Sequence, residues 1–189
     1  MVYPEVIHGM FVDLRSITLD DAEFSYNIRA DKKNRDTVGQ LAPSLEAQKD
    51  YIRWQMQEPN DYYFVVLNKR GERVGLIGAY DMHEDIIEVG REVNNGEPME
   101  SMEAEILIRR FCHEILGFDK ICGVIYANNK KHISDAVKIG GQNQRLVKRG
   151  EQDALYFEYD LLHENSMMRK IKKLLEKVYL SKKGNANEQ

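Results

Sequence analysis

The segment from Ile86 to Gly141 constrains the fold of this chain more than any other part of the sequence. It begins with the strand pattern IIEVGREV, a short loop and the helical run EAEILIRRFCHEILGF. The strand pattern CGVIYA, the pair Asn128-Asn129 and the helical run KKHISDAVKIGG complete it. Because a helix separates the two strands, we predict that they lie parallel and are joined by a right-handed crossover.

Length and composition bound the domain organisation. With 189 residues, of which 42% are hydrophobic, the chain can bury one good core but is short for two domains. The strand patterns before Ile86 follow one another through short turns, which is typical of an antiparallel meander. We therefore predict one α/β (α+β) domain over residues 1–162, with a mixed, mostly antiparallel sheet of about seven strands and helices on both faces.

The residues after this domain form a second pattern. Residues 163–183 predict a basic amphipathic C-terminal helix, because apolar side chains recur at helical spacing with lysines opposite. The apolar stripe consists of Met167, Ile171, Leu174 and Val178. It could dock on the domain or on a second subunit, so a homodimer stays open, and a membrane-surface or nucleic-acid role is the alternative. Residues 184–189 have nothing to bury and are predicted to be disordered.

The charge and the cysteines argue against several classes of function. The formal net charge of -4 does not supply the basic field that nucleic-acid binding requires. The first residues lack the pattern of a secretory signal, and no run of about 18 apolar residues predicts a membrane span. Cys112 and Cys122 match no zinc or thioredoxin-like spacing. We predict a cytoplasmic protein with reduced, packed thiols and without a nucleic-acid or membrane partner.

Five segments carry a resemblance to a known family. They are LRSITLDDAE, SYNIRADKKN, SLEAQKDYIRWQ, YYFVVLNKRGERVGLIGAYD and MEAEILIRRFCHEILGFDKI. Together with the order of elements, they make residues 9–162 resemble the GNAT superfamily of acyl-CoA-dependent N-acyltransferases. The chain looks most similar to the branch that holds ribosomal-protein N-terminal acetyltransferases and amino-sugar acetyltransferases. The resemblance implies an N-acetyltransferase that uses acetyl-CoA as co-substrate and needs no metal.

The resemblance also implies where acetyl-CoA lies. In the family, the pantetheine arm pairs with the free edge of the fourth strand, here residues 86–93, and the pyrophosphate rests on N–H groups that begin the next helix. That helix start is expected at the loop 94–101, with Ser101 as N-cap, and the turn 102–104. The backbone N–H groups of Glu92 and Val93 are the expected oxyanion donors. The predicted cofactor-binding residues are Arg91, Glu92, Val93, Gly96, Ser101, Met102 and Asn129.

The predicted phosphate loop departs from the family pattern. Met99 occupies a position that is small in the family, and Glu97 and Glu100 are acidic where phosphates are expected. Gly96 could take over the close approach to the ligand, since it lacks a Cβ. Asn129 fits the family's asparagine, although an N-cap alone explains it as well.

The catalytic acid is also unassigned in this sequence. Ala136 stands where many members of the family have the tyrosine that protonates the leaving thiolate. The nearest alternatives are Tyr126, His132 and Ser134, of which His132 has a suitable pKa class. We keep His132 as a catalytic candidate, although a surface role explains it too.

Carboxylates on the fourth strand are the candidates for the base that deprotonates the acceptor amine. Regular alternation places Glu84, Glu88 and Glu92 on one face of the strand and Asp85 on the other. Glu88 is favoured because it is central and lies between apolar residues, with Asp85 as second choice. A solvated strand carboxylate is the alternative reading of Glu88.

The acceptor groove of the family lies between the first two helices and the meander. Its predicted lining here is Arg29, Gln48, Tyr51 and Tyr80, and Trp54 could join it or pack in the core. The predicted partner is a small-molecule primary amine, with an amino sugar or its nucleotide favoured. A protein N-terminus, an antibiotic amine and a domain that has lost catalysis remain the alternatives.

Overall fold

The computed structural model describes residues 1–35 and 38–186. The strands are β1 (Ile7–His8), β2 (Val12–Ser16), β3 (Tyr62–Asn68), β4 (Arg73–His83), β5 (Ile86–Asn94), β6 (Lys120–Tyr126), β7 (Gln142–Arg149) and β8 (Gln152–Asp160). The α-helices are α1 (Ala22–Ala30), α2 (Leu45–Gln57), α3 (Pro98–Arg110), α4 (Lys130–Lys138) and α5 (Ser166–Ala186).

The described strands form one sheet in the order β1-β2-β3-β4-β5-β6-β8-β7. β5 and β6 pair in parallel, and the other recorded pairs are antiparallel, which confirms the mixed, mostly antiparallel sheet. The sheet has eight strands where about seven were predicted. The additional strand is the short β1, which pairs with β2 through Ile7 and Leu14.

Helices cover both faces of the sheet, as predicted. Alternate residues of β3 divide between two apolar clusters, as the period of a strand requires. Phe64 packs with Leu107 of α3 in one cluster, and Tyr63 packs with Ile52 of α2 in the other. The α3 and α4 helices therefore lie on one face, and α1 and α2 lie on the opposite face.

A β-bulge interrupts the alternation of β5. Gly78 pairs with Gly90 and Leu76 with Val93, so β5 has one more residue than β4 over this interval. Arg91 takes the left-handed conformation, with φ of 52°. The extra residue sends Glu88 and Glu92 to opposite faces of the sheet, so the prediction that they share a face is wrong.

The pairing of β5 with β6 ends within the described residues at Glu88 and Cys122. Beyond this point β5 continues along β4 as far as Asn94, and β6 continues along β8 as far as Tyr126. The two strands therefore separate after the first three residues of β5. The facing edges of the separated strands carry no ladder pairs in the described part of the chain.

Helix α3 begins earlier than predicted. Its first residue is Pro98 and its N-cap is Glu97, which suits proline's fixed φ and missing N–H. The Ser101 N–H already donates to the Glu97 carbonyl oxygen at 3.0 Å. Ser101 is therefore not the N-cap, and Ser101 and Met102 lie inside the helix.

Helix α5 docks on the domain. Tyr179 packs edge-on against Phe11 with ring centroids 6.0 Å apart, and Met168 and Leu175 are buried. Leu174 is exposed, so the buried stripe is offset by one residue from the predicted stripe. Residues 187–189 of the predicted disordered tail lie outside the described residues. Across the described ranges, each helix lacks the length and apolarity needed to cross a bilayer.

Candidate active site

Glu88 lies where β5 and β6 begin to separate, on the face covered by α1 and α2. Its Oε1 accepts a 2.8 Å hydrogen bond from the Tyr80 hydroxyl and a 2.6 Å bond from Arg149 Nη1. Tyr80 sits directly opposite Glu88 in the β4–β5 pairing. Glu88 is 8% exposed, so these two donors compensate a carboxylate that is largely removed from water.

The donors hold Glu88 in a fixed orientation. Burial, and then the charge of Glu88, raise the pKa of Tyr80 far above its ordinary value, so its hydroxyl keeps its proton. Both hydrogen bonds go to Oε1 and neither to Oε2. A carboxylate held in this way can take a proton from a nearby ammonium group, directly or through water.

A buried ion pair lies beside this carboxylate. Arg91 donates to both oxygens of Asp61, at 2.6 and 2.7 Å, and its guanidinium stacks 3.9 Å from the Tyr80 ring centroid. The bulge explains this placement, since it turns Arg91 toward α2. Arg91 was predicted to bind the cofactor, but the structure places it on the acceptor side and pairs it with Asp61.

The predicted acceptor residues do not all lie beside Arg91. Tyr51 lies between Arg91, 5.8 Å from its ring centroid, and Trp54, whose ring centroid is 5.7 Å away. Trp54 is 49% exposed, so it is not a core residue. Gln48 is buried and donates to Ser25 Oγ at 3.0 Å, which ties α2 to α1.

Arg29 lies in the last turn of α1, within electrostatic reach of Tyr51. It donates to the Gln40 carbonyl oxygen at 3.2 Å, and its charge acts on Tyr51. Burial is the main reason why the pKa of Tyr51 rises to about 12. Tyr51 therefore lies next to the Trp54 ring and within reach of the charge of Arg29.

A second polar cluster lies on the opposite face, between β5, α3 and α4. It consists of Glu92, Glu105 and His132, whose donor atoms all lie within 4.8 Å of one another. His132 Nε2 is 3.9 Å from Glu92 Oε2, and Arg109 Nε is 3.3 Å from Glu105 Oε2. We name these three residues the carboxyl cluster.

The two carboxyl groups of this cluster lie close together, with an oxygen of each within 4.8 Å of the other. Burial, and then the charge of Glu105, raise the pKa of Glu92 well above its ordinary value. Burial is the largest influence on Glu105 and acts to raise its pKa, but Arg109, Glu92 and His132 together outweigh it and lower that pKa. The surroundings therefore favour the protonated form of Glu92 and the ionised form of Glu105.

The start of α3 already holds an anion. Glu100 Oε2 accepts the Glu97 N–H at 2.8 Å, and the Gly96 N–H donates to Asn94 Oδ1 at 2.8 Å. A Cβ at Gly96 would lie 2.5 Å from Glu100 Oε2, so any larger residue at this position would displace that carboxylate. The position suits an anion, as helix N-termini do, but the chain's own carboxylate is placed there.

The remaining predicted residues have structural positions. Asn129 caps α4, with Oδ1 accepting the His132 N–H at 3.2 Å. Val93 is buried in the cluster below α1 and α2, so only its backbone can face the opening. Asp85 is exposed and paired with Lys120 at 3.0 Å, at the far end of β5. The structure does not bring Asp85 to the opening between the strands.

Sequence reasoning missed four residues of these networks. They are Asp61, Glu105, Arg109 and Arg149. The Arg149–Glu88 bond joins residues 61 positions apart, so no local pattern indicates it. The i, i+4 spacing of Glu105 and Arg109 on α3 was a usable signal for their pairing.

The donor set is compatible with an extended thiol arm that ends in phosphates. The separated edges of β5 and β6 offer backbone groups for pairing with an extended ligand. The start of α3 can receive a phosphate once Glu100 has moved, because a carboxylate already occupies that anion position. The opening therefore offers the groups that such an arm would need, with Glu100 as a competitor for one part of the site.

Comparisons with known proteins identify the family. The family model of the GNAT acetyltransferase domain matches residues 12–142. A sequence search of curated proteins finds no significant relative. Among solved structures, apo FdhC, described as a nucleotide-linked sugar GNAT, is 20% identical with a TM-score of 0.69, covering 84% of this chain and 91% of that one.

Two further structures name other acceptors. A structure from Vibrio cholerae, assigned as a ribosomal-protein-serine acetyltransferase, is 18% identical with a TM-score of 0.70 and covers 85% of this chain and 99% of its own. Mutant forms of the spermidine/spermine N-acetyltransferase SpeG from the same species are 13% identical with a TM-score of 0.64, covering 82% and 96%. These likenesses show the fold but not the acceptor. Because the family model spans most of the sheet and the helices around both networks, this chain belongs to the GNAT acetyltransferase family.

Proposed function

We propose that this chain is an acetyl-CoA-dependent N-acetyltransferase that acts on a primary amine of a small molecule by direct transfer. The observation that carries the proposal is the position of Glu88. It is a buried carboxylate, held by Tyr80 and Arg149, at the point where the sheet opens between β5 and β6. A base is needed at this point because an alkylammonium group has no lone pair at neutral pH.

The residues around the opening have separate roles in the proposed reaction. When bound, acetyl-CoA supplies the acetyl group as a thioester. Glu88 accepts a proton from the acceptor ammonium, directly or through water. The backbone N–H groups of Glu92 and Val93 are proposed to stabilise the oxyanion, because Glu92 belongs to the bulge and has no partner in the β4 register, and Val93 directly follows it. No covalent intermediate on the protein is needed for this reaction.

An amino sugar or a sugar nucleotide is the proposed acceptor class. Trp54 and Tyr51 are neighbouring aromatic rings, and Tyr51 lies beside Arg91 on the face of the sheet that carries Glu88. Arg29, whose charge acts on Tyr51, could pair with a phosphate through its planar fork. FdhC is described as acting on nucleotide-linked sugars, which supports the class without fixing the compound.

A binding domain without catalysis is the second candidate. Glu100 at the start of α3 and Ala136 on α4 favour it, since the first competes with phosphate and the second cannot donate a proton. A protein N-terminus remains an alternative acceptor, supported by the name of the Vibrio cholerae ribosomal-protein relative. A cytoplasmic location is part of the main proposal, and the free, buried state of both cysteines supports it.

A screen for CoA release tests the proposal. The protein is incubated with acetyl-CoA and with amino sugars, sugar nucleotides, aminoglycosides, polyamines or peptides, and free thiol is measured. We expect release with at least one amine of the sugar class, and product mass increased by one acetyl group. Calorimetry with about 100 µM acetyl-CoA separates the candidates, because a working co-substrate site binds in this range. Absence of binding would reject the enzyme, and binding without release for any amine would favour the binding domain.

A further inference from the structure

The proposed reaction needs a proton donor that Ala136 cannot provide. Ala136 is buried on α4 and carries a methyl group. One turn earlier on the same face of α4 lies His132, which is 3.9 Å from Glu92. The side chain of Glu92 follows the bulge of β5 and points toward α4. The carboxyl cluster therefore joins β5, α3 and α4, and Glu92 belongs to one of the two strands that border the opening.

The charges around the carboxyl cluster favour a protonated carboxyl group, which could act as an acid. The positive charges near the two carboxyl groups are the Arg109 guanidinium, which pairs with Glu105, and the Lys131 ammonium, which is 93% exposed and paired with Asp135. Full ionisation of both carboxyl groups would place two negative charges beside one largely buried guanidinium, in a site where Glu92 is only 20% exposed. The oxygens of Glu92 and Glu105 lie within 4.8 Å of each other, and at this separation two negative charges repel, so protonation of one carboxyl group is favoured.

We infer that Glu92 is the acid that protonates the leaving thiolate, and that Glu105 and His132 position it. This inference rests on the proposed acetyl transfer. It assigns to a side chain of β5 the task that a tyrosine on α4 would otherwise perform. The neighbouring backbone N–H groups keep their separate, proposed role at the carbonyl oxygen.

The proposed step balances without any further reactant. The acceptor nitrogen forms a bond to the carbonyl carbon of the thioester, and the carbon–sulfur bond breaks with its electron pair on sulfur. Sulfur takes the proton from Glu92, whose O–H electrons remain on the carboxylate. The proton lost by the acceptor nitrogen goes to Glu88 or to water. Exchange with solvent then returns a proton to Glu92 and removes one from Glu88.

The groups that face Glu92 determine the direction of its pH dependence. They are Glu105 and Arg109 on α3, Lys131 and His132 on α4, and Tyr159 on β8. Glu105 carries the nearest negative charge and favours the protonated form of Glu92. Removing that charge lowers the pKa of Glu92. Because the acid must be protonated to act, the high-pH limb of the rate profile should then move to lower pH.

Three variants test the assignment. In Glu92→Gln we expect kcat to fall roughly 100-fold, the lower end of what a general acid contributes, and the high-pH limb to disappear. In Glu105→Gln we expect the limb to remain but to move to lower pH. Glu114→Gln is the matched control, because Glu114 follows the same helix, is exposed and loses the same charge. Its rate and pH profile should equal those of the parent protein.

An infrared measurement gives a readout that does not depend on activity. Near pH 7, the C=O band of a protonated carboxyl group should be present in the parent protein and in Glu114→Gln. It should be absent from Glu92→Gln. This measurement stays valid if a variant is less stable, provided that circular dichroism shows it to be folded.

Other outcomes would overturn the inference. An unchanged pH profile in active Glu92→Gln would remove Glu92 from the reaction while leaving the proposed function intact. If Zn²⁺ or Mn²⁺ raised the melting temperature of the parent protein but not that of Glu92→Gln, the carboxyl cluster would instead be a metal site. A parent protein that releases no CoA with any amine would reject the proposed function. The infrared band would then still decide whether the cluster holds a proton.

Discussion

The Tyr80 hydroxyl donates a 2.8 Å hydrogen bond to Glu88 across the β4–β5 pairing, next to the point where β5 leaves β6. The two residues are direct neighbours on adjacent strands, so the backbone itself sets their distance. Arg149 reaches the same carboxylate oxygen from β7. A carboxylate with two fixed donors is oriented before the acceptor arrives, which reduces the cost of ordering it during the reaction.

Replacing Glu88 by glutamine should separate catalysis from co-substrate binding. Glutamine has nearly the same shape but cannot accept the ammonium proton, so we expect kcat/KM to fall roughly 100- to 1,000-fold. The Kd for acetyl-CoA should not change, because Glu88 lies on the face of the sheet where the acceptor, and not acetyl-CoA, is proposed to bind. Steady-state kinetics and calorimetry measure the two quantities. Glu84→Gln, in the exposed turn before β5, is the control. Full activity in Glu88→Gln would move the base to a water chain or another residue.

The Asp61–Arg91 pair should contribute to stability more than the exposed pairs do. Asp61→Asn would leave the Arg91 guanidinium buried beside Tyr80 without its carboxylate partner, so we expect the free energy of unfolding to fall by about 3 kcal/mol. Urea denaturation followed by circular dichroism measures this change.

A double variant and an exposed pair provide the controls for Asp61. Asp61→Asn combined with Arg91→Met should recover part of the loss, because no unpaired charge then remains. Asp50→Asn at the exposed Arg53 pair should change stability little. If Asp61→Asn and Asp50→Asn lowered the free energy of unfolding equally, the buried pair would contribute no more to stability than the exposed pair.

The sequence predicted the elements better than it predicted the directions of side chains. Strand and helix periods are local, so the order from β2 to β8 follows from apolar spacing and turn residues. The bulge at Arg91 is not local in this sense, since a bulky residue rarely takes positive φ and only the pairing with β4 requires it. That one residue moved Glu92 to the opposite face. Pro98 is a readable local signal for the start of α3, because proline is favoured at the first position of a helix.

Contacts between residues far apart in the sequence account for the remaining differences between the predicted and the observed site. Glu88 and Tyr80 were each selected from the sequence, and the hairpin between β4 and β5 brings them together. Arg149 could not be assigned to them, because its contact depends on how the β7–β8 hairpin folds over the sheet. Glu105 could not be assigned for a similar reason, since it lies near Glu92 only because the bulge turns the Glu92 side chain to the opposite face of the sheet.

The two cysteine thiols should be unreactive in the folded protein. Burial raises the pKa of Cys112 to about 12 and that of Cys122 to about 11. At pH 8 only about one Cys122 thiol in 1,000 would be the reactive thiolate. We therefore expect no rapid reaction with a disulfide reagent in buffer and reaction of both thiols in guanidinium chloride. Raising the pH toward 11 should speed labelling of Cys122 first. Rapid modification of either thiol at pH 8 in the native state would contradict the burial.

Glutamine at position 100 should strengthen co-substrate binding. The Glu100 carboxylate accepts the Glu97 N–H at the start of α3, where a phosphate of acetyl-CoA is proposed to lie. Glutamine keeps an oxygen for that hydrogen bond and removes the negative charge, so the helix cap remains while repulsion of phosphate is lost. A charge at a helix N-terminus is worth ~1 kcal/mol, which corresponds to an affinity about fivefold higher.

Calorimetry with CoA at two salt concentrations measures the effect of Glu100→Gln. The gain should shrink as salt rises, because the repulsion it removes is electrostatic and partly exposed to solvent. Glu114→Gln, beyond the other end of α3, should leave the affinity unchanged. If Glu100→Gln binds CoA no more tightly than the parent protein, the phosphates do not reach the start of α3. The co-substrate would then have to be held along the edges of β5 and β6 alone.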